Sequence, residues 1–110
     1  MIDWKRVSEL REEVGEDNFD EVIDLFLFEV EEELARLANC RDAAALAARL
    51  HFLKGSALNI GFTSFSVLCQ AGETAAGNGA EADVDIDGVL TCYDQSKQAF
   101  VRGLPRIAAA

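Results

Sequence analysis

Hydrophobic residues recur along most of the chain at the spacing of three and four residues that marks one face of a helix. The longest stripe spans roughly five turns, and its members are Phe19, Val22, Ile23, Phe26, Val30, Leu34 and Leu37. The alternation that is typical of strands is not sustained anywhere in the sequence. The pattern therefore predicts an all-α protein.

Capping residues set the expected helix boundaries. We expect a short first helix from Asp3 to Gly15 and a second helix capped by Asp17 or Asn18. The third should run from Asp42 to Gly61, and its inward residues are Leu46, Leu50, Leu53, Ala57 and Ile60. The fourth, capped by Thr63 or Ser64, should end at Gly77 with Phe65, Leu68, Gly72 and Ala75 inward, and the fifth should run from Asp83 or Asp85 to Gly103 and Pro105. Four long helices with short connections pack most simply as an antiparallel four-helix bundle, here preceded by a short N-terminal helix.

Two large apolar residues, Leu25 and Phe28, lie off the stripe of the second helix. A second apolar face needs its own partner, so we expect the first helix to cover them. The alternative is that they belong to a docking patch.

The 110 residues are enough for one domain with one core, and we expect a single domain over residues 1–110. The formal net charge of −10 argues against nucleic acid and anionic membranes as partners. No stretch is apolar enough for a membrane span, and the first residues lack the apolar segment of a signal peptide. These features favour a cytoplasmic protein.

The three cysteines Cys40, Cys69 and Cys92 are odd in number and widely spaced. This spacing does not match a metal site, so we expect buried free thiols in a reducing compartment.

The only histidine, His51, lies in the predicted third helix. At 100° per residue it falls about 140° from the centre of the apolar stripe and should face solvent. Lys54 shares its side of the helix and can approach the imidazole, while Gly55 places no side chain in front of the ring. Glycine within a helix costs about 1 kcal/mol of helix stability relative to alanine. Access of a reactant to His51 is one explanation for a glycine at position 55.

The rest of this outer helix face is small and apolar, since Ala44, Ala47, Ala48 and Leu58 stand where charged residues are usual. Such a face resembles a docking surface. Basic residues are also concentrated nearby: residues 1–33 contain 13 acids and 3 bases, whereas residues 34–62 contain 1 acid and 4 bases. This arrangement would suit an anion on or near His51, although four bases in such a segment are also ordinary.

Autonomous catalysis is not expected from these residues. The sequence has no second histidine or close cysteine pair for zinc, and no phosphate-binding glycine loop with its lysine. A single exposed imidazole can still attack an activated phosphoryl group and pass it on. Lys54 would then stabilise the phosphorylated ring, and a partner would supply the metal ion and acidic cluster.

The motif His51-x-x-Lys54-Gly55-Ser56-Ala57, followed by Asn59 and Gly61, resembles that of histidine-containing phosphotransfer (HPt) domains of bacterial two-component phosphorelays. The resemblance implies a four-helix bundle, a phosphoryl group on the Nε2 of His51, and Lys54 as its stabilising cation. It also implies transient partners that bring Mg²⁺, namely receiver domains of response regulators or hybrid histidine kinases. The family often places a polar or basic side chain from the next helix beside the imidazole, and Gln70 or Glu73 is the nearest candidate here.

The sequence therefore predicts a cytoplasmic, monomeric phosphorelay intermediate that carries a phosphoryl group on His51, has no cofactor of its own and is not an enzyme. The alternative is a helical protein-interaction module that works without phosphorylation and in which His51 is incidental.

Overall fold

The computed structural model describes the backbone of residues 1–109 and the side chains up to residue 105. Within these residues the protein is all-helical, which confirms the predicted class. The α-helices are α1 (Trp4–Val14), α2 (Glu16–Ala38), α3 (Ala43–Ile60), α4 (Thr63–Gly77) and α5 (Ile86–Ala109), with a 3₁₀ helix at Glu81–Asp83 before α5.

Three aspartates cap helices: Asp3 and Asp42 do so as predicted, and Asp85 is the one of the two candidates for α5 that does. The side chain of Asp3 accepts a hydrogen bond from the backbone N–H of Arg6, that of Asp42 from Ala45, and that of Asp85 from Gly88. Each bond satisfies one of the N–H groups that a helix leaves free at its start. Gly61 ends α3 in the left-handed conformation, with φ of 81°.

Three of the predicted boundaries are wrong. Helix α2 begins at Glu16 rather than after Asp17 or Asn18, because Gly15 at φ 86° turns the chain within one residue. Thr63 does not cap α4, since its hydroxyl donates to the carbonyl of Met1, and Ser64 lies within the helix. Helix α5 continues past Gly103 and Pro105. Pro105 has no N–H to donate to the carbonyl of Val101, four residues earlier in the helix, but Val101 is exposed to solvent.

One apolar core joins all five helices. Its largest fully buried side chains are Phe62, Phe65, Phe100, Leu37, Leu46, Leu50, Leu53, Ile60, Val7, Val30, Val89 and Cys69. Phe62 lies in the two-residue connection between α3 and α4 and packs against the rings of Phe100 and Tyr93 of α5, with centroids 5.3 and 6.1 Å away. The turn between α3 and α4 is therefore anchored in the centre of the core.

Polar contacts fix α2 against its neighbours. Arg49 of α3 binds Glu33 at 2.7 Å, and Tyr93 and Lys97 of α5 both donate to one oxygen of Glu31, at 2.7 and 2.6 Å. Helices α3 and α4 form the most extensive helix pair. This pairing positions the surface on which the predicted site lies.

Leu25 and Phe28 are not covered by α1, contrary to the prediction. They are 57% and 60% exposed. Helix α1 instead directs Val7 and Leu10 into the core and stacks Trp4 on Phe100 of α5, with ring centroids 5.8 Å apart. The outer face of α2 is left open to solvent.

The cysteines fit the prediction only in part. All three are free thiols, but only Cys69 is buried, while Cys40 and Cys92 are partly exposed. Burial raises the pKa of Cys69 to about 12, so this thiol stays protonated and packs as a small apolar side chain.

We expect Gly103→Ala to destabilise the protein by about 1–3 kcal/mol. A Cβ at this position would overlap the indole ring of Trp4, which is itself stacked on Phe100. Urea unfolding would measure the change, with Gly55→Ala as the matched control, because a Cβ at Gly55 meets no atom within 4 Å. Equal effects of the two substitutions would contradict the packing argument.

Candidate functional site

Helix α3 presents His51 to solvent. Its inward stripe of Leu46, Leu50, Leu53, Ala57 and Ile60 is buried as predicted. This leaves His51 on the outer side, where its side chain is 67% exposed. An imidazole in this position is accessible to a large reactant such as another protein.

Glu73 of α4 holds the imidazole. Its Oε2 lies 2.8 Å from Nδ1 of His51. A carboxylate can only accept, so the contact favours a proton on Nδ1. In the neutral ring the free lone pair is then on Nε2, which is the nitrogen able to act as a nucleophile.

Lys54 is bound to α4 beside the histidine. Its Nζ lies 2.9 Å from Glu73 Oε1 and 2.9 Å from Gln70 Oε1. The sequence prediction had Lys54 approach the imidazole itself; in the structure Glu73 lies between them and contacts both. The four side chains form one network across the α3–α4 pair.

The network keeps Glu73 ionised. The hydrogen bond from Lys54 is the main cause of the lowered pKa of Glu73. Partial burial acts to raise this pKa, and the hydrogen bond from His51 lowers it further. Because the folded-state pKa is depressed, the resulting stabilisation is present above the ordinary carboxyl pKa and is lost as the pH falls through the lowered value. Near neutral pH the imidazole therefore faces a carboxylate.

Gln70 and Glu73, the two candidates from the next helix, have different contacts. Glu73 touches the imidazole, whereas Gln70 contacts only Lys54 among the site residues and also donates to Thr74. The sequence does not decide between the two candidates, and it does not reveal that the carboxylate of Glu73 contacts both His51 and Lys54. The three-residue spacing of Gln70 and Glu73, which places both on one face of α4, was the available signal.

The predicted docking residues on α3 differ in exposure. Ala48, Gly55 and Leu58 are exposed, whereas Ala47 is partly buried against the core and contributes less surface than predicted. Phe52, which directly follows His51, is 44% exposed. Small residues, Ala48 and Gly55, therefore flank the imidazole on α3, and the larger apolar side chains of Phe52 and Leu58 are exposed nearby.

We expect Gly55→Ala to stabilise the fold by about 0.5–1 kcal/mol, because alanine is the better helix former and the added Cβ meets only open space. Urea unfolding would measure this gain.

Gly55→Leu is expected to slow phosphoryl exchange with a protein partner but not labelling by phosphoramidate, a small donor. An unchanged exchange rate in Gly55→Leu would contradict the access role of this glycine.

Neither a metal site nor a membrane helix is found in the part of the chain that the structure describes. No group of three or more His, Cys, Asp or Glu side chains could hold a metal ion among residues 1–105. Within the described helices, none is long and apolar enough to cross a bilayer.

Comparison with known proteins identifies one family. The family model described as Hpt domain matches residues 21–99. The matched range includes α3, α4 and all four side chains of the network. No match was found among curated proteins or among solved structures.

Proposed function

The chain belongs to the Hpt domain family of two-component signalling, and we propose that it is a phosphorelay intermediate in which His51 carries the phosphoryl group. In this proposal a receiver domain with an aspartyl phosphate, or a histidine kinase pathway, supplies the group. His51 then passes it to the aspartate of a response-regulator receiver. The protein acts as a carrier and does not catalyse a reaction alone.

The observation that carries the proposal is the contact between Glu73 Oε2 and His51 Nδ1 on an otherwise exposed ring. The lone pair of Nε2 attacks phosphorus, an N–P bond forms, and the P–O bond to the donor aspartate breaks with release of its carboxylate. The ring becomes cationic while Nδ1 keeps its proton, and the Glu73 carboxylate stabilises that charge. The second transfer reverses these steps.

Lys54 is the cation proposed to stabilise the phosphorylated ring. Its ammonium group is already beside Glu73, one turn of α3 from His51. The ammonium has three N–H donors, and Gln70 and Glu73 accept from two of them, so the third is left for a phosphoryl oxygen, which is a charge-assisted acceptor. We assign Gln70 the role of holding Lys54 in the unphosphorylated protein, and we place the Mg²⁺ of the reaction on the receiver domain.

We further propose that residues 1–110 form a single Hpt domain in which α2–α5 pack as an antiparallel bundle. The short connections and the contacts of Glu31 and Glu33 with α5 and α3 support this arrangement. A monomeric bacterial protein of the cytoplasm that binds receivers transiently around Ala48, Gly55 and Leu58, with Ala47 at the edge, fits this function. Such interfaces lie below about 1,200 Å².

The test is to mix the protein with receiver domains that carry labelled phosphate and to follow the label. We expect it on this protein in an acid-labile form and, after a second receiver is added, on that receiver. Absence of label from the wild-type protein would overturn the proposal. Binding to receivers that is indifferent to phosphorylation would instead support an interaction module.

A further inference from the structure

Helix α4 contains a glycine directly before the carboxylate residue of the site. Gly72 precedes Glu73 and is buried. Glycine in the middle of a helix makes that helix less stable than alanine would. Gly72 lies within α4 at a φ that every residue can adopt, so its backbone conformation does not require a glycine. The side chains that surround it supply the reason.

A side chain of α3 occupies the space in front of Gly72. A Cβ at this position would lie 2.9 Å from Cδ1 and 3.6 Å from Cδ2 of Leu50, and 3.4 Å from Cγ1 of Val84. Carbon atoms in contact are about 3.5–4.0 Å apart, so the distance to Leu50 Cδ1 would be too short by roughly 0.6–1.1 Å. Both methyl groups of Leu50 therefore use the space that a Cβ on α4 would fill.

Leu50 has no free space into which it could move. Its side chain is fully buried, within the inward stripe of α3. Protein interiors are packed as densely as organic crystals, so a displaced methyl group would collide with other core side chains. An added side chain at position 72 would therefore move α4 away from α3.

This close contact lies at the level of the histidine. Leu50 is the chain neighbour of His51, and Gly72 is the chain neighbour of Glu73. The hydrogen bonds of Glu73 across the same helix pair measure 2.8 Å to His51 and 2.9 Å to Lys54. Hydrogen bonds between nitrogen and oxygen extend to about 3.2 Å, so an added helix separation of more than about 0.4 Å exceeds that range.

We propose that Gly72 is a positioning residue for phosphoryl transfer, because its missing side chain lets α4 approach α3 closely enough for Glu73 to bind the imidazole of His51. This inference rests on the proposed function, since Gly72 acts on transfer through the contact between Glu73 and His51. That contact keeps the proton on Nδ1 and the lone pair on Nε2. A wider helix pair loosens this control of the ring and slows transfer, although every site residue is still present.

The experiment compares Gly72→Ala with the wild type and with Gly77→Ala, a control in the same helix where an added Cβ meets no atom within 4 Å. The rate of labelling by phosphoramidate should fall at least about fivefold in Gly72→Ala and stay unchanged in Gly77→Ala. The ¹⁵N NMR signals of the His51 ring report which nitrogen carries the proton. Gly72→Ala should shift the proton from Nδ1 toward Nε2, an effect that a change in stability alone does not produce.

A second substitution tests the contact with Leu50 itself. Leu50→Val removes both Cδ methyl groups, so the double variant Gly72→Ala/Leu50→Val should regain the wild-type labelling rate and ring signals. Leu50→Val alone should keep both, although it loses core packing and unfolds at a lower urea concentration. Should Gly72→Ala not fold, the double variant decides, because a shorter residue 50 relieves only a clash at this contact.

The outcomes separate this inference from the proposed function. If Gly72→Ala keeps the wild-type rate and ring signals, Leu50 gives way and Gly72 does not position Glu73. A double variant that stays slow or does not fold would likewise overturn the inference, because the defect would then arise elsewhere. A wild type that takes no label from phosphoramidate or from a loaded receiver domain would overturn the proposed function, and the role of Gly72 in transfer with it.

Discussion

Replacing His51 by Gln is expected to abolish phosphoryl acceptance, with labelling reduced at least about a thousandfold. Gln has a similar length and can still hydrogen-bond to Glu73, but its amide has no nucleophilic lone pair to attack phosphorus. The His51 side chain is 67% exposed, so the unfolding free energy should change by no more than about 0.5 kcal/mol. Incorporation of labelled phosphate from a loaded receiver domain, read together with urea unfolding, checks both expectations.

Stability of the label in acid and alkali identifies the residue that carries it. A phosphoryl group on an imidazole nitrogen is lost in acid and kept in alkali, whereas one on a carboxylate is lost in both and one on Ser56 or another hydroxyl survives acid. Ser56→Ala is therefore the control and should be labelled as the wild type is. Equal labelling of His51→Gln and the wild type would show that another side chain is the acceptor.

The elements that were predictable from sequence are those fixed by local interactions. The stripe of α3 and its ends at Asp42 and Gly61 involve residues three or four apart and one cap at each end, so the orientation of His51 followed from helix geometry. The caps at Asp3 and Asp85 are local in the same way.

The wrong predictions concern contacts between distant parts of the chain. Whether α1 covers Leu25 and Phe28 depends on where Trp4 packs, and it packs against Phe100 and Gly103 near the other end of the chain. The end of α5 was misplaced for a related reason, since Gly103 is suited to close packing with Trp4 and does not stop the helix. No spacing within one helix contains this information.

The site shows the same division. The exposure of His51 and the proximity of Lys54 follow from positions on one helix. The choice between Gln70 and Glu73 depends on the rotation of α4 against α3 and on side-chain conformations, which the sequence does not specify. The contact of Glu73 with both His51 and Lys54 therefore required the structure.

Replacing Glu73 by Gln is expected to slow phosphorylation of His51 by about 10- to 100-fold. The carboxylate accepts from His51 Nδ1 with one oxygen and from Lys54 with the other, at 2.8 and 2.9 Å. An amide offers one oxygen only, so its NH₂ group faces either Lys54 or the ring. Against the ring it donates to Nδ1, which places the proton on Nε2 and removes the nucleophilic lone pair.

The rate of labelling by phosphoramidate measures this effect without a protein partner. Glu33→Gln is the matched control, because Glu33 also pairs with a basic residue of α3, Arg49 at 2.7 Å, but does not contact the imidazole. Glu73→Gln should lose less than about 1 kcal/mol of stability at pH 7, because its side chain and that of Lys54 remain partly exposed. That difference should vanish as the pH falls through the lowered pKa of Glu73. Equal labelling rates for the two variants would show that Glu73 only joins the helices, since an effect on the ring requires contact with it.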